Sequence, residues 1–415
     1  MVTVADHLVQ ALEVLSAAAA DPPELASLNP NSFAAKRVLL TNVADHPGVA
    51  EFGQMVAAAL GWDPSEMISI SDSPSSGSGL RAEHLGRMLV ARARHQEAAE
   101  VLHSFFALVE SNVVELSEVH VLWGLRPATP VSLPGGLQLV ALEDAPPSLL
   151  RDRYLGVPER LNAPPAGHPA VVPRPGAALV RRLEHGPVFL SAPEFGAHPV
   201  SQAATEEVLD VVRILTALLR RPVFPLAQGY VLDEATPLWL GGGWGGQSIY
   251  WSFQAAHEPE DLDAERLASG VAAYLGSNEA LRNGLRTALE RLRAAYIHPW
   301  FHERAMDLGI ALEATLFAGD RSSYTGELAY RFKIRGTLLL GGDPSERRRT
   351  AELLSQVYKL RSRVAHGGRS PHGNEAEEAV ISESLELCCR LVEALVMRGS
   401  VPDWDGIAMG WEVAG

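Results

Sequence analysis

The sequence predicts a multi-domain protein of the mixed α+β class, with helical regions at both ends and strands between them. Its 415 residues exceed what one hydrophobic core usually organises, so two or three domains are expected. Helical spacing of apolar residues dominates both ends, whereas short apolar runs bounded by Pro and Gly, typical of strands, occur in the middle. We therefore predict a mainly helical region at 1–115, an α+β domain at 116–260, a helical bundle at 261–400 and a C-terminal tail at 401–415.

The composition is that of a soluble globular chain, with 47% hydrophobic and 20% charged residues. No uninterrupted apolar run is long enough for a membrane span, and the first residues lack the basic start and apolar stretch of a secretory signal. The two cysteines are the neighbours Cys388 and Cys389, which suit buried side chains in a helix better than a disulfide or a metal site. We expect a reduced, cytoplasmic protein with no membrane partner, no metal and no cofactor.

The region before residue 261 gives a coarse pattern of elements. Residues 71–79 are rich in Ser and Gly, which predicts a flexible loop, and residues 145–176 are rich in Pro, which predicts an irregular surface connection. Helices are predicted at 5–20, 48–60, 80–112 and 205–219, and strands at 118–125, 137–142, 177–183, 188–191 and 230–240.

The last third predicts an antiparallel helical bundle with short turns. Its helices are expected at 262–275, 278–297, 301–318, 324–340, 344–366 and 375–398. The helix at 344–366 has the clearest limits. Asp343 is a candidate N-cap, Pro344 suits the first helical position, and Glu346 completes a capping box. Gly367 and Gly368 supply the left-handed residue that ends many helices.

Positive charge is concentrated in this part of an acidic chain. Residues 331–363 hold nine basic and three acidic residues, a net charge of +6, although the whole chain carries −15. The total disfavours indiscriminate binding of nucleic acid, but the basic window can attract phosphate locally. A solvated helix face is the alternative interpretation of the same charges.

One motif at the end of the 344–366 helix carries candidate chemistry. The segment reads YKLRSRVAHGG over residues 358–368 and contains Arg361, Ser362 and His366. Five residues of ideal helix turn about 500°, so Arg361 and His366 lie roughly 140° apart around the axis. They converge only if the last turn frays, which the two glycines after His366 favour.

Four segments in order resemble the Apea-like branch of the HEPN superfamily, across about residues 280–400. They are ALEATL (311–316), ELAYRF (327–332), LLLG (338–341) and LRSRVAHG (360–367). The resemblance implies an all-α HEPN domain that forms a homodimer, in which the motifs of both copies face one RNA-binding cleft. It also implies a metal-independent endoribonuclease, and it suggests a role as a toxin or in antiviral defence.

The residue types suit such a reaction. In RNA the 2′-OH adjoins the scissile phosphate, so proton transfer and charge stabilisation are what the protein must supply. His366 is the candidate general base or acid, Arg361 the candidate phosphate clamp, and Ser362 a residue that could orient the imidazole or bond to phosphate. Candidate RNA-binding residues are Tyr358, Lys359 and Arg363. The N-terminal regions could sense a trigger or a partner protein.

A non-catalytic interpretation stays open. Arg361 could be a structural residue that pairs with Glu313, and His366 could cap the helix end. The bundle would then only bind RNA, dimerise or serve as a regulatory module.

Two further motifs have structural interpretations that explain them better. GGGWGG (241–246) satisfies the spacing of a dinucleotide loop, but strand-like residues follow it where a helix is required, so a hairpin turn is the better interpretation. His298 and His302 have a zinc-compatible spacing, but Pro299 is expected to break the helix between them and no third ligand is evident.

Overall fold

The computed structural model describes residues 4–18, 33–44, 46, 48–73, 76–155, 175–190, 202–233, 236–237, 244–246, 258–318, 328–367, 372–409 and 411. These residues form a mixed α+β structure with two sheets and a C-terminal helical region, as the sequence predicted at this level of detail. None of the helices found in them combines the length and the apolar character needed to cross a bilayer.

The N-terminal region packs five helices around one core that includes Leu8, Phe52, Leu89 and Phe105. They are α1 (Asp6–Ala18), α2 (Phe33–Ala44), α3 (Val49–Ala59), α4 (Ala82–Ala93) and α5 (Ala98–Ser111).

The single long helix predicted at 80–112 is wrong, because the chain turns between α4 and α5. Residues 94–97 read Arg-His-Gln-Glu and contain neither Gly nor Pro, so no breaker marks the turn. Leu89 of α4 and Phe105 of α5 are both fully buried in the same core. The turn lets two amphipathic halves bury their apolar sides together, which one straight helix could not do.

The flexible loop predicted at 71–79 is also wrong, because most of it belongs to a hairpin. Strand β1 (Ile68–Ser73) pairs antiparallel with β2 (Ser76–Leu80), and β7 (Phe189–Leu190) adds a third strand. Ile70 and Leu80 lie in the N-terminal core and anchor the hairpin. Three apolar residues, Ile68, Ile70 and Leu80, among many Ser and Gly residues are too few to give a strand pattern.

The central region is built on a six-stranded sheet whose strand pairs are all antiparallel, in the order β4-β5-β6-β3-β8-β9. The strands are β3 (Val114–Trp123), β4 (Val131–Leu133), β5 (Leu137–Ala141), β6 (Ala177–His185), β8 (Phe224–Leu232) and β9 (Trp244–Gly246). The strand predicted at 230–240 is misplaced, since β8 starts at Phe224, which pairs with Trp123. Residues 156–174 of the Pro-rich connection lie outside the described residues, and the prediction of an irregular connection is wrong for 149–155, which form a helix.

Two helices accompany this sheet. The short α6 (Leu149–Leu155) contributes Leu150 to a small core on one face. The longer α7 (Gln202–Leu219) covers the other face, where Val208 and Leu215 pack with Leu139 and Leu179.

The C-terminal region is helical as predicted, with limits within a few residues of the expected ones. Its helices are α8 (Ala264–Gly276), α9 (Glu279–Ile297), α10 (Phe301–Leu316), α11 (Leu328–Leu340), α12 (Pro344–Ala365) and α13 (Glu375–Arg398). A short helix, α14 (Trp404–Met409), lies within the predicted tail. Its six residues are too few to give a periodic signal in the sequence. The side chain of Ile407 is buried and anchors this helix.

The hydrophobic core of the bundle is continuous with that of the central sheet. One cluster of buried residues runs from Leu122 and Leu179 through α7 to Leu312 and Leu391. The predicted boundary near residue 260 therefore lies between segments that share a core, and it remains a prediction.

Candidate functional site

Helix α12, which carries the Arg361-to-His366 motif, begins where the sequence predicted. Asp343 accepts hydrogen bonds from the backbone N–H of Ser345 (2.7 Å) and of Glu346 (3.0 Å). The Glu346 carboxylate accepts one in return from the backbone N–H of Asp343 (2.9 Å), which completes the capping box. Hydrogen bonds from the Ser345 hydroxyl and from these backbone groups lower the pKa of Asp343.

The other end of α12 places His366 at the C-cap. The backbone N–H of His366 donates to the Ser362 carbonyl (3.1 Å), so the helical bonding continues through it, and Gly367 follows with a φ of +103°. His366 is exposed. The last turn is not frayed. The angle of about 140° between positions 361 and 366 therefore holds, and one chain does not direct both side chains to the same side of α12.

Arg361 lies instead across the neighbouring helix α10. A Cβ added at Gly309 would be 2.4 Å from Cδ of Arg361, so the absence of a side chain there makes room for the stem of the arginine. One turn further along α10, Oε2 of Glu313 is 2.5 Å from Nη1 of Arg361. The Arg361 and Glu313 side chains keep 27% and 29% of their surface exposed. The pairing that the sequence left open as a structural alternative is thus formed, at a partly open surface.

The remaining motif residues fall into three environments. Ser362 is half-buried, and within the described part of the chain its hydroxyl makes no hydrogen bond. Lys359 is exposed and has no carboxylate partner among the residues that the structure describes. Tyr358 is half-buried and packs on Phe332, with ring centroids 5.8 Å apart.

Arg363 is exposed but carries a partner. Its Nη2 donates to Oε1 of Glu377, at 2.5 Å. Glu377 also belongs to the capping box of α13, and the hydrogen bond from the Asn374 backbone, followed by that from Arg363, lowers the pKa of this carboxyl. Two of the three candidate guanidinium and ammonium groups near the motif are therefore neutralised by carboxylates of adjacent helices.

The basic window divides into buried and exposed parts. Arg335 is buried, donates to the Leu316 carbonyl and stacks over the rings of Phe317 and Trp404, at 4.6 and 5.0 Å. By contrast, Arg348, Arg349 and Lys359 are exposed on α12. Helical geometry brings Arg348, Lys359 and His366 to within about 20° of one another around the axis. We call these three residues the outer row of α12.

The two histidines weighed as a zinc pair are separated as expected, because α9 ends at Ile297 and α10 begins at Phe301. His298 lies between two carboxylates, with Nδ1 2.7 Å from Glu303 and Nε2 3.0 Å from Asp307. In the part of the chain that the structure describes, no group of three or more His, Cys, Asp or Glu side chains is arranged so that it could hold a metal ion. His298 thus ties the start of α10 to the end of α9.

The glycine motif at 241–246 is described only in part. Residues 244–246 form β9, which pairs with β8 through Gly245 and Gln228. Residues 241–243 and 247–257, on which the nucleotide and hairpin interpretations both depend, lie outside the described residues.

A buried polar cluster in the central sheet was missed by the sequence analysis. Glu118 and His120, two residues apart on β3, are 3% and 1% exposed, with His120 Nε2 2.9 Å from Glu118 Oε1. Arg181, directly opposite Glu118 on β6, donates to Oε2 through Nε (3.1 Å) and Nη2 (2.6 Å). The signal was present, since Glu118 and His120 occupy alternate positions in the mainly apolar stretch 118–123 of β3.

Comparisons with known proteins add no relative, since no protein family, curated protein or solved structure matches this chain. The HEPN resemblance therefore rests on the four sequence segments alone.

Proposed function

We propose that the C-terminal bundle is a HEPN-type, metal-independent endoribonuclease. The observation that carries this proposal is the outer row of α12, which presents an exposed imidazole at the helix end and, on the same side of the helix, two exposed cations about 10 and about 27 Å further back along the axis. An RNA backbone lying along this row would meet Arg348 and Lys359 as phosphate contacts and His366 as a proton-transfer group.

The reaction needs no external nucleophile. An imidazole takes the proton of the 2′-OH as its oxygen attacks the adjoining phosphorus, and the P–O5′ bond breaks as the leaving oxygen gains a proton. The products are a 2′,3′-cyclic phosphate and a 5′-OH. Arg361 stabilises the negative charge on the non-bridging oxygens, because a guanidinium meets two of them in a planar fork.

Homodimerisation is part of the proposal. The helix in one chain directs Arg361 toward α10 and His366 toward solvent. A second copy whose motif faces the same cleft would supply the missing group to each site, which agrees with what the family resemblance implies. The proposal extends to a cytoplasmic role as a toxin or in antiviral defence. In that role the N-terminal regions would sense the trigger.

A non-catalytic module that binds RNA or dimerises is the second candidate. The ion pairs of Arg361 with Glu313 and of Arg363 with Glu377 favour it, because both cations are already matched within the chain. Under this alternative the motif holds three helices together and cleaves nothing.

Purified full-length protein incubated with RNA in EDTA separates the two candidates. We expect fragments that end in 2′,3′-cyclic phosphate and that disappear with His366→Ala. Intact RNA, at protein concentrations where ultracentrifugation shows a dimer, would overturn the nuclease and leave the module.

A further inference from the structure

Arg361 of the motif packs against the face of α10 formed by Gly309 and Glu313. Gly309 is buried, and the arginine stem passes directly over it, with Cβ and Cγ of Arg361 each 2.9 Å from the position that a Gly309 Cβ would occupy. A side chain on residue 309 would force the stem to move. The path of the arginine across α10 is therefore fixed before its charged end is reached.

Glu313 then fixes the charged end. Its Oε2 forms an ion pair with Nη1 of Arg361 at 2.5 Å, and in the described residues it is the one carboxylate that pairs with Arg361. A guanidinium has five N–H groups in a rigid fork. A contact through Nη1 leaves the Nη2 and Nε groups available to two oxygens of a phosphate.

We propose that Glu313 is a positioning residue for Arg361, which it holds so that the free edge of the guanidinium meets the scissile phosphodiester. This inference rests on the proposed nuclease function and names its substrate contact. Glu313 does not touch the RNA in this arrangement; it acts through Arg361.

Glu313 should weaken RNA binding but speed cleavage, and these opposite effects make its role testable. Its negative charge beside the phosphate weakens RNA binding, because like charges repel at short range. Its ion pair holds the guanidinium in place, and a misplacement of about 1 Å at a reacting centre costs on the order of 100-fold in rate. Removal of the charge should therefore tighten binding and slow cleavage.

The experiment measures single-turnover cleavage at saturating protein and RNA affinity in separate assays, with full-length Glu313→Gln. We expect a cleavage rate lower by about 10- to 100-fold, with a dissociation constant for RNA equal to or smaller than that of the wild type. Glu383→Gln is the matched control, since Glu383 is an exposed residue of α13 in the same bundle with no ion-pair partner in the described structure. The control should change neither quantity by more than twofold.

A second variant tests geometry without a change of charge. Gly309→Ala should displace the stem of Arg361 and slow cleavage without tightening RNA binding. Melting curves of both variants exclude unfolding as the cause.

The outcomes are distinguishable. If the wild type cleaves RNA and Glu313→Gln cleaves at the same rate, the positioning role is overturned and the nuclease stands. If cleavage and binding fall together with the melting temperature, Glu313 is structural only, and the inference also fails. If the wild type cleaves no RNA, the proposed function itself is overturned, and the positioning role with it.

Discussion

Asp210 of α7 and Arg286 of α9 form a bidentate ion pair that joins the central region to the helical bundle. Nη2 of Arg286 is 2.7 Å from Oδ2 of Asp210, and Nε is 2.9 Å from Oδ1. The Asp210 side chain is 3% exposed and also accepts a hydrogen bond from Arg213 (2.8 Å). The hydrogen bond to Asp210 raises the pKa of Arg286, so the pair stays charged. Two regions that differ in secondary structure are thus joined by a buried carboxylate as well as by a shared core.

Asp210→Asn should destabilise the protein more than any exposed charge substitution. The amide leaves Arg213 and Arg286 without this carboxylate, although Glu206 still lies 2.6 and 3.5 Å from them. Loss of one partner of a fully buried pair typically costs about 3–5 kcal/mol, and we expect a smaller loss here because Glu206 remains and Arg286 is partly exposed. Urea unfolding followed by circular dichroism measures the change in the free energy of unfolding. Glu265→Gln, an exposed acidic residue of α8, is the control and should change it by less than about 0.5 kcal/mol. Equal stabilities of the two variants would show that Asp210 does not join the regions energetically.

The buried cluster of Glu118, His120 and Arg181 predicts a pH dependence of stability. Burial opposes ionisation of Glu118, but the hydrogen bonds from His120 and Arg181 outweigh it and lower the pKa of this carboxyl below its ordinary value of 4.5. A carboxyl with a lowered pKa in the folded state stabilises the fold above its unfolded pKa. This contribution is lost as the pH falls through the folded pKa.

Glu118→Gln should therefore be less stable than the wild type at pH 7, and the difference should shrink as the pH falls below about 4.5. The measurement is the free energy of unfolding in urea at pH 7, 5 and 3.5. Glu115→Gln, an exposed position of the same strand, controls for the loss of one charge. A difference between Glu118→Gln and wild type that stays constant over this pH range would contradict the assigned protonation state.

Local signals predicted the elements of the bundle and the limits of α12. The capping box at Asp343 and Glu346 and the glycine at 367 are encoded within a few neighbouring residues, so they are legible in the sequence. The turn between α4 and α5 is not, because no residue in 94–97 forbids a helix and only the shared core requires the break. The hairpin formed by β1 and β2 was hidden for a different reason, because its few apolar residues among Ser and Gly give no strand pattern and only their place in the shared core requires the strands.

In the candidate site, too, some features follow from neighbouring residues in the sequence and others depend on how distant elements pack. The position of His366 at the helix end follows from local sequence. The contact of Arg361 with Glu313 spans 48 positions and depends on how α10 packs against α12. The sequence could offer that pairing only as one of two alternatives. The cluster around Glu118 depends on the register of β3 and β6, which alternation alone does not specify.

Arg361→Lys tests whether the planar fork matters beyond its charge. An ammonium keeps the positive charge and can still pair with Glu313, but it cannot meet two phosphate oxygens in one plane. We expect RNA affinity within about threefold of wild type and a cleavage rate lower by at least about 10-fold. Parallel assays of affinity and single-turnover cleavage on one RNA give both values. Wild-type cleavage by Arg361→Lys would show that Arg361 contributes charge alone.

The outer row of α12 predicts which cations contact the RNA backbone. Each phosphate contact with single-stranded nucleic acid releases counterions and contributes about 0.7 to the slope of log affinity against log salt concentration. Arg348→Gln and Lys359→Gln should each reduce the magnitude of this slope by about 0.7. Arg363→Gln is the matched comparison, because Arg363 is also exposed but already paired with Glu377, so its removal should change the slope less. The slopes come from RNA titrations between about 50 and about 300 mM KCl, a range in which binding should stay measurable at both ends. If Arg363→Gln reduced the slope as much as the two outer-row variants, RNA would have to displace Glu377, and the path along the outer row would be wrong.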